Sequence, residues 1–220
     1  MKLARTPSRL LPLLTMIACA ASGCSSGSTG SVVTPPVTRA TAIVVRDSAG
    51  SVVAGVQVIA LDLDTDVATI AQTDAAGSVH LMLTAGRWAA STKRASSGAP
   101  TEVAASVGRV PGNSPGVSDT VLFELRLARE SVATGVTRLA GRNDFGGTTV
   151  SVAELPTFAT TTVSGAWRLS GLPPGIWTGL AEQLGFKTAA FDIVVPASGI
   201  TVALPDTVVL QPGGTPAPQR

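Results

Sequence analysis

The chain has 220 residues, 45% of them hydrophobic and 14% charged, with 23 glycines, 15 prolines, 4% aromatic residues and no tyrosine. That apolar content excludes a wholly disordered chain, and the glycine and proline content argues against a long helical bundle or coiled coil. Sixteen basic residues stand against fourteen acidic ones, so no field strong enough to recruit nucleic acid is present.

Residues 1–9 carry Lys2, Arg5 and Arg9 with no acid, and residues 10–21 form an apolar run interrupted only by Pro12 and Thr15. Charge and length are those of a secretory signal peptide. The run falls short of the roughly 20 residues that span a bilayer, and no later segment comes nearer without charges or turn residues. It ends in Ala21-Ser22-Gly23-Cys24, followed by Ser25-Ser26-Gly27-Ser28-Thr29-Gly30-Ser31. Small residues before a cysteine and a flexible polar stretch after it resemble the lipobox of bacterial lipoproteins. The resemblance implies that Cys24 becomes an acylated N-terminus holding the chain on a membrane of the cell envelope. Ser25 rather than Asp after the cysteine implies outer-membrane sorting where the envelope is Gram-negative. The family usually has Leu where Ala21 stands, and Cys19 is the alternative lipidation site; an ordinary cleaved leader with an incidental cysteine is the plainer reading. Three of the sixteen basic residues precede Cys24, which leaves thirteen against fourteen acids and a formal charge of −1.

After a Ser-, Gly-, Thr- and Pro-rich tether the chain echoes itself. Thr73-Asp74-Ala75-Ala76-Gly77 and the strand after it correspond to Thr161-Thr162-Val163-Ser164-Gly165. Ala85-Gly86-Arg87-Trp88 corresponds to Pro174-Gly175-Ile176-Trp177, and Asp119-Thr120-Val121 to Asp206-Thr207-Val208. Turn sequences such as Asp47-Ser48-Ala49-Gly50 and Pro173-Pro174-Gly175 punctuate short β-branched stretches. Those stretches alternate with period two: Val79, Leu81 and Leu83 against Ser78, His80 and Met82; Trp167 and Leu169 against Arg168 and Ser170; Val121, Phe123, Leu125 and Leu127 against Leu122, Glu124, Arg126 and Ala128. The pattern predicts an all-β protein of two tandem antiparallel β-sandwiches of about seven strands each. The expected segments are a leader at 1–23, a tether at 24–37, sandwiches at 38–129 and 130–212, and a disordered tail at 213–220. A long loop is expected over residues 94–118. With no cysteine after Cys24, stability must come from aliphatic packing.

The glycine before a Val-rich strand (Gly55-Val56-Gln57-Val58; Gly147-Thr148-Thr149-Val150), the turn at residues 73–77, and Gly171-Leu172-Pro173-Pro174-Gly175-Ile176-Trp177 with Gly185-Phe186 after it resemble the carboxypeptidase regulatory-like domain. That resemblance implies a transthyretin-like sandwich of seven strands and an accessory, non-catalytic module.

Few residues offer chemistry. Asp62, Asp64 and Asp66 could supply oxygen ligands to calcium, but the glycine and distal Glu of an EF-hand loop are missing. The alternative is an exposed strand face opposite Leu61 and Leu63. His80, the single histidine, has no second soft ligand. No nucleophile–base pair can be assembled, so no catalytic residue and no cofactor are expected. Trp88, Trp167 and Trp177 are either core or sugar-stacking platforms, with Trp88 the candidate platform. The expectation is a lipid-anchored surface protein that displays its sandwiches to a protein or glycan partner, and the alternative is a carbohydrate-binding accessory.

Overall fold

The computed structural model describes residues 36–95, 97–112 and 120–213. The leader, Cys19, Cys24, almost all of the tether, and residues 214–220 lie outside the described residues. In chain order the strands of the first half are β1 (Thr38–Arg46), β2 (Gln57–Asp62), β3 (Ala68–Gln72), β4 (Ser78–Thr84), β5 (Gly86–Arg94), β6 (Glu102–Val110), β7 (Val121–Arg126) and β8 (Ala128–Arg129). Those of the second are β9 (Ser131–Leu139), β10 (Thr149–Val152), β11 (Leu155–Thr160), β12 (Ala166–Leu172), β13 (Gly175–Glu182), β14 (Ala189–Val195), β15 (Thr201–Ala203) and β16 (Val208–Leu210). No helix occurs among the described residues.

The two halves repeat one topology. Sheet β4-β1-β7 faces β3-β2-β5-β6-β8, and β12-β9-β15, with β16 also on β9, faces β11-β10-β13-β14. The expected purely antiparallel pairing needs one correction per sandwich, because β1 pairs parallel with β7, and β9 pairs parallel with β15 and β16. Successive strands reverse direction, so the first and seventh run the same way and pair in parallel once they become neighbours.

Alternation buries one face of each strand. Ile43, Val45, Val58, Trp88, Phe123, Leu125 and Leu127 build one core, and Val150, Trp167, Leu169, Trp177, Ile193 and Leu210 build a second that shares no buried member with the first. Each fully buried Leu or Ile contributes about 1.5–3 kcal/mol.

The long loop expected over residues 94–118 is corrected: it contains β6, paired along its whole length with β5 from Gly86 opposite Val110 to Arg94 opposite Glu102. Ala104, Ala105, Ser106 and Gly108 hide the alternation in the sequence. Their smallness has a packing reason at Gly108, where a Cβ would stand 2.7 Å from the Phe123 ring.

The turn echo at Gly77 and Gly165 is a structural equivalence. Both glycines have positive φ, +69° and +83°, and a Cβ on either would collide with neighbouring backbone. The echo of Asp119-Thr120-Val121 in Asp206-Thr207-Val208 is not. Val79 lies opposite Ile43 and Trp167 opposite Gly135, so Thr41 corresponds to Ala133. Thr41 pairs with Val121, whereas Ala133 pairs with Val202. The final strand of the second sandwich is interrupted between β15 and β16 by residues 204–207. Pro205 within the interruption has no N–H to give the ladder.

A further equivalence lies in two buried threonines. The Thr73 hydroxyl accepts from the Val56 N–H at 3.0 Å and donates to the Val53 carbonyl at 2.8 Å. The Thr161 hydroxyl accepts from the Thr148 N–H at 3.0 Å and donates to the Phe145 carbonyl at 2.6 Å. Each pins the start of the connection between the third and fourth strands to the segment that enters the second strand. Thr73→Val and Thr161→Val keep the shape but strand a buried N–H and C=O. Each should cost about 1–3 kcal/mol, read as a lower urea midpoint at unchanged m-value.

Candidate interaction surfaces

The indole that the sequence offers for stacking on a ligand is a core side chain. Trp88 is 5% exposed, and its Nε1–H donates to the Thr84 carbonyl at 2.9 Å. Trp177 repeats this arrangement, donating to the Pro173 carbonyl at 2.9 Å. A strand that begins at glycine just after the previous strand ends lets the ring fold back over the hairpin and cap a carbonyl. Trp167 is buried as well, its ring lying over Gly135 and 5.9 Å from the Phe191 ring. Stacking on a sugar would require Trp88 to leave its core, so its assignment as a platform is corrected to a core role.

The aspartate run is likewise corrected, because it does not share one exposed strand face. Asp62 is the last residue of β2 and only 7% exposed. Its Oδ1 accepts the Asp64 N–H at 2.9 Å, and its Oδ2 accepts from the Thr84 hydroxyl at 3.4 Å. Asp64 Oδ2 accepts the Arg87 backbone N–H at 3.1 Å. Asp66 stands in the turn with φ +58°, and its N–H donates to the Asp62 carbonyl at 2.9 Å. The alternation breaks because the strand ends at Asp62, whose carboxylate caps the turn that follows while Asp64 reaches across to the β5 backbone. Among the described residues no group of three or more His, Cys, Asp or Glu is arranged to hold a metal ion. His80 is exposed on β4, opposite Ala42.

The two sandwiches meet closely. β8 pairs with β6, the Glu130 N–H donates to the Thr101 carbonyl at 2.9 Å, and β9 begins at Ser131. Lys93 Nζ lies 3.6 Å from Glu130 Oε2. Leu155, Pro156 and Pro173 of the second sandwich face Ile59, Ser91 and Val103 on the outer side of the first across a cleft of about 170 Å³. This explains why Ser91 and Val103, which alternation points outward, are buried. A second cleft, about 460 Å³, lies between Leu61, Leu63, Asp66 and Arg87 on one side and Glu154 and Leu180 on the other.

The outer face of β11-β10-β13-β14 displays Phe158, Ile176 and Val194, exposed by 73%, 72% and 52%. On the corresponding face of the first sandwich, Arg87 and Arg109 are exposed. Sequence reasoning missed all five. The outward phase of Arg87 and Ile176 was legible from Trp88 and Trp177 beside them, but that of the other three, and which strands would set them side by side, was not.

No protein-family model matches the chain, and no curated protein matches it. Among solved structures it is similar to the Bacillus anthracis TIE protein, at 13% identity over 80% of this chain and 34% of that chain, with a TM-score of 0.35. It is similar to the shaft pilin SpaA from Lactobacillus rhamnosus GG, at 11% identity over 81% and 99%, TM-score 0.33. A third is BcpA, the major pilin subunit of Bacillus cereus, at 13% identity over 79% and 69%, TM-score 0.34. The chain spans about a third of the length of the first of these.

Removing the Trp88 ring takes out both a core contact and the cap on Thr84. Trp88→Ala should destabilise by about 3–5 kcal/mol, measured by urea unfolding. Any polysaccharide retention lost in this variant should disappear only together with the folded signal.

Proposed function

We propose that this is an exported, lipid-anchored protein of the bacterial cell envelope whose tandem sandwiches, resembling carboxypeptidase regulatory-like domains, form a non-catalytic interaction module. The observation that carries the reading is the use made of the reactive and stacking side chains. The three indoles are in the cores, Thr73 and Thr161 tie turns, and Asp62 and Asp64 accept from the backbone amides of Asp64 in the turn and Arg87 on β5. What faces solvent is broad sheet surface with cationic and apolar side chains, suited to recognition by contact rather than by bond-making. The carbohydrate-binding alternative by indole stacking is not favoured, since Trp88 is buried.

The sequence supports the anchor part of the reading: a short apolar run, Cys24, and a stretch rich in Ser, Gly and Thr before Thr38. Acyl chains contribute about 0.8 kcal/mol per buried methylene, and several together hold a domain on a bilayer. Cells expressing the wild-type chain should retain it in the membrane fraction, and Cys24→Ala should release it. Release by Cys19→Ala alone would reassign the modified residue, and retention of both single variants and of the double variant would overturn the anchor.

A further inference from the structure

Arg87 on β5 and Arg109 on β6 are direct cross-strand partners. They precede Trp88 and Val110, whose side chains enter the first core, so alternation sends both guanidinium groups to the outer face of the sheet. Both residues are exposed. Among the described residues neither has a carboxylate within 4.0 Å; the ion pairs are Arg46–Glu124, Lys93–Glu130, Arg94–Glu102 and Arg126–Glu124. Four acids lie near Arg87, and three already have donors: Asp62 accepts from the Asp64 N–H and the Thr84 hydroxyl, Asp64 accepts the Arg87 backbone N–H, and Glu154 accepts the Thr178 N–H; Asp66 and Glu154 line the cleft that Arg87 also lines.

Directly opposed like charges destabilise a sheet, with Cβ atoms about 4.5–5.5 Å apart. The fold has no need of them here, and the second copy demonstrates it. At the same register, after the same glycine and before the same carbonyl-capping tryptophan, the cross-strand pair is Ile176 opposite Val194. One backbone position thus carries two cations in the first sandwich and two aliphatic side chains in the second, all four exposed.

We infer that Arg87 and Arg109 form a recognition site for an oxyanion, a phosphate or carboxylate group held between the two guanidinium forks. Each fork offers several N–H donors in a plane that matches such a group, and an anion between them offsets the repulsion between the two cations. The pair sits at the end of the first sandwich where the chain enters, since Ala85 N–H donates to the Val37 carbonyl and Arg39 to the Gly112 carbonyl. The anion's source, an envelope polymer or a lipid headgroup, rests on the proposed function; the site itself does not.

Binding is measured with the purified full-length Cys24→Ala chain and three probes. These are inorganic phosphate, soluble polygalacturonate, and phosphatidylcholine vesicles with and without phosphatidylglycerol. At least one probe should bind, more weakly as ionic strength rises. Arg87→Gln and Arg109→Gln should each weaken it about tenfold, as loss of charge-assisted hydrogen bonds predicts. Arg142→Gln, an equal change of charge elsewhere, should leave it unaltered. Neither site variant should lower the urea midpoint, because each relieves like-charge repulsion. The probe that responds identifies the source: phosphate alone a small anion, polygalacturonate a polymer, and phosphatidylglycerol a headgroup. Absence of binding to all three, or binding that the two site variants leave intact, overturns the site. Phosphate binding that persists when Cys24→Ala fails to release the protein from membranes would retain the site while removing the anchor.

Discussion

Volume matching between aromatic rings and glycines lets the two sheets of each sandwich enclose a packed core. Phe123 crosses from β7 to fill the space left by Gly108 on β6. On the second side Trp167 covers its strand partner Gly135, and Phe191 covers its strand partner Gly179. The two copies fill equivalent core positions by different partitions of volume: Ile43 opposite Val79 in the first, Gly135 opposite Trp167 in the second. Interiors packed to crystal-like density do not tolerate a methylene out of place, so a large residue in one strand requires a small one in its neighbour. With no cysteine after Cys24, this packing and the threonine ties hold the fold without covalent help.

The same economy of space governs the join between the sandwiches. Leu127 belongs to the first core and Ser131 is buried in the second sandwich, and β8 and Glu130 between them are hydrogen-bonded to the first sandwich. In the second sandwich Gln211 accepts from Lys187 and Gly213 donates to Gly185, so the chain leaves the final strand by crossing to the opposite sheet in both copies. A connection this short fixes which outer faces are covered. Ser91 and Val103 are lost to solvent beneath the second sandwich, while Phe158, Ile176, Val194, Arg87 and Arg109 stay in contact with it.

The residues that looked most chemical in the sequence serve the fold, and those that face outward were the least conspicuous. Trp88 was readable as core, because it follows a turn glycine at the position of Trp177. The aspartate run was misread because a period of two was carried past the end of β2, although Thr65 between two aspartates is itself turn chemistry. β6 escaped because its apolar positions are filled by alanine and glycine, whose hydrophobic contrast with serine is small. The repeated Asp-Thr-Val suggested an equivalence that pairing denies, because an interruption at residues 204–207 shifts the register.

Local chemistry in the chain therefore determined the strand class, the doubling, the turns and the inward phase of most strands, since alternation and turn glycines act over a few residues. Tertiary structure alone decided that first and last strands pair in parallel, that Thr73 and Thr161 are bridges, and that Arg87 meets Arg109. Those outcomes depend on which distant segments become neighbours and in what register, and a one-residue slip would turn each of these side chains to the opposite face.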